Sequence, residues 1–240
     1  MKTILESIRL TAVLAAAALM TGCATSGRYI AFKEFSSPRS PEENSPLKGH
    51  TVCVKPFVDA FNIADMLSDK NTIEPANYTY IKLNKEETKL WNDEVNQRKR
   101  TSTKADWPQV GYVRNAYGMT MSKVYALNDP GVWLTDTLKA DLQKLGARVV
   151  DTSQEADAEI SVGGTIKYLK VDIYMSYWAD LLVDVQLKPR TKAVTTRSLH
   201  TKAGQVAWSS SSFEYYQSFR QCQQKFSRVV IADMEQLVKE

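Results

Sequence analysis

The stretch that decides the fold class lies at residues 129–146 and reads DPGVWLTDTLKADLQKLG. Asp129 can cap a helix that begins at Pro130, a first helical position at which the missing N–H costs nothing. Four leucines then recur at helical spacing, which places them on one face: Leu134, Leu138, Leu142 and Leu145. Gly146 supplies the residue type that most often ends a helix. The stretch therefore predicts a helix over 130–145 with a buried leucine face.

Strand patterns on both sides of this helix predict a sheet that it covers. Apolar and polar residues alternate over 51–58, over 110–127 around a central turn, and over much of 158–187. Residues 198–216 suggest a hairpin with its turn at 202–205. A second helix closes the chain, because six residues share one helical face: Phe219, Cys222, Phe226, Val230, Met234 and Leu237. We therefore expect an α+β domain whose antiparallel-rich sheet carries two helices on one face.

A polar insertion, residues 60–107, interrupts this pattern and lacks a clear apolar stripe. Asn84 with Glu87 can form a capping pair at the start of a short helix. Leu83, Leu90 and Val95 could then face inward. Because the insertion as a whole has no core periodicity, we expect it to lie outside the sheet-and-helix core.

The insertion also contains a basic cluster, Arg98-Lys99-Arg100. A charge run of this kind can be a solvated loop or helix face. It can also contact anionic lipid headgroups or an acidic partner, since clustered cations are attracted to both. The cluster is therefore a candidate partner-binding site, with the simple solvated surface as the alternative.

The first 22 residues have the three parts of a secretory signal. Lys2 and Arg9 give a positive start, an apolar run of 11 residues follows at 10–20, and small residues precede Cys23. The apolar run is shorter than the roughly 20 residues that cross a bilayer. An ordinary signal peptide with a chance cysteine would fit these features as well. The pattern predicts export and removal of residues 1–22.

The four residues MTGC at 20–23 resemble the lipobox of bacterial lipoproteins, although Met20 stands where leucine is more common. The resemblance implies that Cys23 is acylated and becomes the first residue of the mature chain. It also implies attachment to the outer membrane, because Ala24 replaces the aspartate that retains lipoproteins in the inner membrane. Residues 23–48 lack periodicity and predict a lipidated tether, followed by a periplasmic domain at 49–240.

The remaining residues give little indication of chemistry. His50 and His200 have no second ligand at metal spacing, and the serines at 209–212 lack a nucleophile elbow. The carboxylates near the strands are of the kind any β protein offers: Asp157, Glu159, Asp172, Asp180 and Asp184. Thirty-one basic against 27 acidic residues leave a charge of +4, too small to indicate nucleic acid. We expect no enzyme, no metal and no cofactor.

Two further groups of residues are candidates for covalent or partner contacts. Cys53 and Cys222 could pair in a disulfide in an oxidising periplasm, or they could be two buried thiols. Tyr177 and Trp178 belong to a group of aromatic residues near strand ends. Aromatic residues there can bind a partner when exposed, or can fill the core between sheet and helix.

Residues 110–119, VGYVRNAYGM, with SKV at 122–124, are similar to the signature of YajG-type uncharacterised bacterial outer-membrane lipoproteins. The resemblance covers about 50–58 and 110–240, and the insertion departs from it. It implies an outer-membrane anchor and a non-enzymatic protein without an assigned function. Arg114 and Asn115 are the motif positions carried over. Asn tolerates turn conformations, which favours a structural role for this pair.

These features together predict a membrane-anchored periplasmic lipoprotein, held by its N-terminal lipid, that acts as a scaffold or accessory protein for an envelope protein. The alternative is a carrier or sensor that holds a lipid or other apolar ligand between helix and sheet. A pocket lined by apolar groups would favour the carrier, and an exposed strand edge over a solid core would favour the scaffold.

Overall fold

The structure, a computed structural model, describes residues 27–33, 45–61, 85–101, 107–115, 117, 119–173, 176–206 and 212–239. Cys23, the signal segment and the serines at 209–211 lie outside these residues. The strands are β1 Arg28–Ile30, β2 Thr51–Asp59, β3 Gln109–Arg114, β4 Thr120–Ala126, β5 Arg148–Val150, β6 Ile160–Ile173, β7 Ser176–Pro189 and β8 Thr195–Val206. The helices are α1 Lys85–Thr101, α2 Pro130–Lys144 and α3 Ser212–Lys239, with a 3₁₀ segment at Thr152–Asp157.

Helix α2 confirms the expectation drawn from residues 129–146. The Asp129 carboxylate accepts hydrogen bonds from the N–H groups of Gly131 and Val132 at 2.7 and 3.2 Å. Leu134, Leu138 and Leu142 are fully buried. Gly146 follows the helix with a φ of +78°, in the left-handed region that glycine tolerates. Cap, leucine stripe and stop therefore act as the sequence predicts.

The sheet is mixed, so the prediction of an antiparallel-rich sheet is wrong. Strand β6 pairs with β7 along one side, and on its other side first with β2 and then with β3. Strand β5 lies beyond β2, strand β8 lies beyond β7, and β4 followed by β1 lies beyond β3. Among the described strands four pairings are parallel and three are antiparallel. Alternating apolar residues identify strands but carry no information about direction, which long crossover connections set here.

Helices α2 and α3 pack on the same face of the sheet, as predicted. Phe57 of β2 contacts Phe226 of α3 edge-on, with ring centroids 5.6 Å apart. Phe32, just after β1, contacts Trp133 of α2 at 4.8 Å and Phe219 of α3 at 5.3 Å. Five residues of the predicted α3 stripe are fully buried: Phe219, Cys222, Phe226, Val230 and Met234. These aromatic contacts join sheet and helices in one core.

The hairpin predicted at 198–216 is wrong. Strand β8 continues through 202–205 without a turn, and the chain is already helical at Ser212. Phe213, Tyr216 and Phe219 are all buried at a spacing of three residues, which is a helical period. Phe213 and Tyr215 flank the polar Glu214, and this alternation of aromatic and polar residues is also typical of a strand.

The predicted tether, 23–48, is wrong wherever the structure describes it. Strand β1 pairs in parallel with β4, with Arg28 opposite Val124. Ile30, Ala31 and Leu47 are fully buried in the core. Three apolar residues are too few to show a period, so sequence analysis placed them in a tether. The folded domain therefore begins no later than residue 27.

Helix α1 lies inside the predicted insertion and contributes to the core, contrary to expectation. Trp91 is 1% exposed, and its indole N–H donates to the Ala31 carbonyl at 2.8 Å. Val95 is buried one turn later, whereas Leu90, which we expected to face inward, is 48% exposed. Leu83 and Asn84 lie outside the described residues. Two buried residues in a 17-residue helix give no periodic stripe, which is why the sequence pattern missed this contact.

Candidate functional site

The basic cluster Arg98-Lys99-Arg100 forms the last turn of α1. The Nε atom of Arg98 lies 2.6 Å from a Glu94 carboxylate oxygen. The Lys99 ammonium lies 4.0 Å from the centre of the Tyr29 ring, and partial burial lowers the pKa of Lys99. Arg100 is exposed. The cluster is therefore attached to the domain beside β1, and part of its charge is used within the molecule.

The other predicted partner-binding residues are not at the surface. Tyr177 is fully buried and packs edge-on against Tyr215, with ring centroids 4.9 Å apart. Trp178 is 8% exposed and lies against Gly204, where a Cβ would come within 2.9 Å of the indole. The proposal of a partner site at Tyr177 and Trp178 is therefore wrong. The two residues belong to opposite faces of β7, and packing covers both.

The exposed large apolar residues that sequence analysis missed include two in the turn between β3 and β4 and one at the start of β4. Tyr117 is 88% exposed, Met119 59% and Met121 40%. The Asn115 side-chain oxygen accepts hydrogen bonds from the N–H groups of Tyr117 and Met119, each at 3.0 Å. Asn115 therefore has the structural turn role that was expected, and the turn displays these side chains outward. We call Tyr117, Met119 and Met121 the hairpin tip.

Cys53 and Cys222 are free thiols in separate clusters, so the disulfide that their sequence context allowed is not formed. The Cys53 thiol donates to the Asp151 carbonyl at 3.7 Å, and burial raises its pKa. The Cys222 thiol lies under the helices and donates to the Ala179 carbonyl at 3.3 Å, and burial raises its pKa as well. Both thiols are thus protonated at neutral pH and are poor nucleophiles.

A charged cluster lies on the sheet face away from the helices. Arg114 donates to both oxygens of the buried Asp172, with its Nε atom at 2.9 Å. The buried Asp180 contacts His200 and lies 3.7 Å from the Lys202 ammonium. Within the described ranges no serine hydroxyl or cysteine thiol is hydrogen-bonded to His200, and no three metal-ligating side chains come together. The cluster therefore neutralises two buried carboxylates without assembling a catalytic triad.

Two carboxyl groups meet where β2 ends and α2 begins. The Asp59 carboxyl interacts with the carboxyl of Asp129, the cap of α2. Partial burial, followed by the negative charge of Asp129, raises the pKa of Asp59 from an ordinary 3.8 to about 7. Since the pKa is higher in the folded state, folding favours the protonated form, and the stability that this carboxyl provides is lost as pH rises from about 4 through 7.

Asp59→Asn tests this pair, because the amide keeps the shape of the acid and cannot ionise. We expect the variant to match the parent in thermal unfolding temperature at pH 4 and to exceed it at pH 8. Asp93→Asn, on the exposed face of α1, serves as the control for removing a negative charge. An equal temperature difference at both pH values would show that Asp59 does not titrate near 7.

Strand β8 is an edge of the sheet. Its 12 residues pair with β7 from Thr195 to Val206, and among the described residues no strand pairs with its other side. Thr195, Thr196, Arg197 and Ser198 are exposed. The Lys225 ammonium donates to the Lys202 carbonyl at 2.6 Å. The part of the edge before Lys202 is therefore the accessible part.

Two open clefts flank this region of the sheet. One, of about 240 Å³, lies between the end of α3 and strands β7 and β8, and its apolar lining includes Val185, Leu187 and Leu237. The other, of about 250 Å³, lies on the opposite face around Gly163, Gly164 and Lys55.

Within the described residues no helix is long and apolar enough to cross a membrane.

Comparisons with known proteins assign neither family nor function. No protein-family model and no curated protein matches the chain. An uncharacterised protein of known structure covers 88% of this chain and 99% of its own, at 9% identity and a TM-score of 0.48. A Xanthomonas campestris protein of family DUF330 has the same coverage, at 12% identity and 0.49. A hypothetical protein from Chlamydia trachomatis covers 79% of this chain and 98% of its own, at 14% identity and a TM-score of 0.28. The neighbours are uncharacterised proteins, and the YajG-type resemblance stays a prediction.

Proposed function

We propose that this chain is an outer-membrane lipoprotein of the YajG type, lipidated at Cys23 and facing the periplasm. It acts as a non-enzymatic accessory protein that binds an envelope protein at the outer edge of β8. The observation that supports the partner-binding part is a 12-residue strand whose outer side is paired with no other strand among the described residues. The lipobox at 20–23 carries the anchor.

An edge of this length supports binding by strand addition. Before Lys202, its outer N–H and C=O groups have no strand partner among the described residues and can pair with an extended segment, whereas natural proteins usually protect long edges. Four exposed residues, Thr195 through Ser198, precede the point where Lys225 caps the Lys202 carbonyl. A partner strand of similar length would satisfy these groups and cover the edge.

The charge around β8 indicates the chemistry of the partner. No Asp or Glu occurs between Asp184 and Glu214, while five cations do: Lys188, Arg190, Lys192, Arg197 and Lys202. Four of them interact with a carboxylate within the chain, which compensates part of this positive charge: the carboxylates are Glu155, Glu159, Asp233 and Asp180. We infer that the partner segment carries carboxylates and that its binding weakens with salt.

The carrier alternative is favoured by one observation, the apolar cleft between α3 and the sheet. Its volume of about 240 Å³ falls below the roughly 300–1,000 Å³ of typical ligand pockets. Such a cleft would hold only a small apolar molecule or part of a chain. The size of the cleft therefore makes partner binding the better supported of the two functions.

Photo-crosslinking in cells tests the β8 site. Benzoylphenylalanine at 196 or 198 should give one discrete adduct with an envelope protein. At Val132 on α2, which is also exposed, it should give none. The Lys202 carbonyl, which accepts from Lys225, points away from β7. Because the backbone N–H and C=O groups of every second residue in an antiparallel strand point to the same side, those of Ser198 also point away from β7. Ser198→Pro should therefore abolish the adduct at 196 while thermal unfolding stays unchanged. Equal labelling at 132, or an adduct that survives the proline in a folded variant, would contradict the site.

A further inference from the structure

The length of chain before β1 limits how far the domain can stand from a membrane. This step rests on the proposed lipidation of Cys23. Only four residues, 24–27, lie between Cys23 and Arg28, the first residue of β1, so the two Cα atoms are five residue steps apart. A fully extended chain spans at most about 3.6 Å per residue, so Arg28 lies within about 18 Å of the acylated cysteine. The corrected start of the domain thus replaces a long tether with a short one.

The register between β1 and β4 places the hairpin tip at this same end of the sheet. Strands β1 and β4 are parallel, and Arg28 lies opposite Val124. Residues before Val124 therefore extend in the direction from which Cys23 enters. Met119 is five residues before Val124, which at about 3.3 Å per residue carries it some 17 Å beyond Arg28. The tip projects about as far as the anchor can reach.

The surface of this end matches a phospholipid leaflet in polarity and charge. Tyr117, Met119 and Met121 are exposed, and the turn that carries them has internal hydrogen bonds through Asn115. Residues 109–126 and 27–33 contain no Asp or Glu. Lys99, over the Tyr29 ring, brings the basic end of α1 beside β1. Exposed apolar groups bordered by cations are typical of surfaces that enter the interface of a membrane.

We propose that the hairpin tip docks into the phospholipid leaflet that holds the acylated Cys23, with the basic end of α1 over the headgroups. The domain is then held at two points. Strand β6 is parallel to β3 and antiparallel to β7, so the turn between β7 and β8 lies at the opposite end of the sheet. Strand β8 therefore runs between the membrane end and the periplasmic end of the domain.

Photo-crosslinking to lipid tests this docking. The mature lipoprotein, with benzoylphenylalanine at 117 or 119, is reconstituted in phosphatidylethanolamine–phosphatidylglycerol vesicles and irradiated. Position 194 is the matched control, because Val194 is 54% exposed, close to the 59% of Met119, and lies at the far end of the sheet. We expect phospholipid adducts at 117 and 119, identified by mass spectrometry, and none above background at 194.

The anchor is checked in the same preparation by intact mass, which separates two failures. Protein without acyl chains on Cys23 would refute the proposed anchor. Acylated protein with no lipid adduct at 117 and 119, or with equal adducts at 194, would refute the docked tip and leave the anchor standing. Wild-type thermal unfolding of each labelled variant shows that the domain is folded in every arm.

Discussion

Replacement of Trp91 by alanine is expected to destabilise the fold by about 3–5 kcal/mol, in the range of large aromatic deletions from a core. The Trp91 ring packs against Phe213 at 5.5 Å and Tyr216 at 6.0 Å between centroids. Its N–H holds the Ala31 carbonyl beside β1. Removing the side chain leaves a cavity where α1, α3 and the segment after β1 meet.

Urea unfolding followed by circular dichroism measures this cost. Trp91→Phe keeps one aromatic ring but loses the hydrogen bond and part of the buried volume. It should therefore cost less than Trp91→Ala, with about 1–3 kcal/mol of its cost arising from the unsatisfied buried acceptor. Leu90→Ala, at the exposed neighbouring position, should change stability by less than about 0.5 kcal/mol. A Trp91→Ala variant as stable as the parent would show that α1 lies outside the core, as the sequence pattern had suggested.

Helices α2 and α3 could be predicted from the sequence, because each has an apolar stripe at helical spacing. Helix α2 has a cap, a proline, a leucine stripe and a glycine stop, all of which the structure confirms. Helix α3 was predicted from its stripe, and only its start was placed too late. The parallel pairing of β2 and β3 with β6 could not be predicted, since alternation fixes faces and leaves strand direction open.

Short segments with few apolar residues were misplaced for a different reason. Strand β1 and the two core residues of α1, Trp91 and Val95, have no period of their own. They are ordered by contacts with residues that are distant in sequence, such as Tyr216, whose hydroxyl donates to the Lys33 carbonyl. Tertiary contacts of this kind override local pattern, and one sequence does not reveal them.

The candidate sites also divide into residues with a local sequence signal and residues whose exposure depends on tertiary contacts. Tyr177 and Trp178 were selected as aromatic residues, but exposure depends on the packing of α3 and β8, which the sequence does not give. The hairpin tip did have a sequence signal. Tyr117 and Met119 are apolar residues in a turn, where polar residues are usual, and this departure could have been noticed. The cations around β8 are spread over 15 residues, Lys188 to Lys202, and so escaped a search for runs.

The anchor, the hairpin tip and the β8 edge make one consistent arrangement. In the proposed arrangement, a short connection from acylated Cys23 would hold the membrane end of the sheet, and the β8 edge would then present a fixed direction to a partner in the same envelope. Restricting rotation of the domain in this way lowers the entropy lost when the partner binds. Attachment of the domain at two points therefore depends first on acylation of Cys23.

Palmitate labelling of cells that express the full chain is the measurement that tests this claim most directly. Cys23→Ser removes the acceptor thiol, so we expect complete loss of labelling and accumulation of uncleaved precursor. Cys53→Ser is the matched control, because it removes a thiol that is buried in the domain, and it should label and mature like the parent. A Cys23→Ser protein that still incorporates palmitate and matures normally would contradict the account.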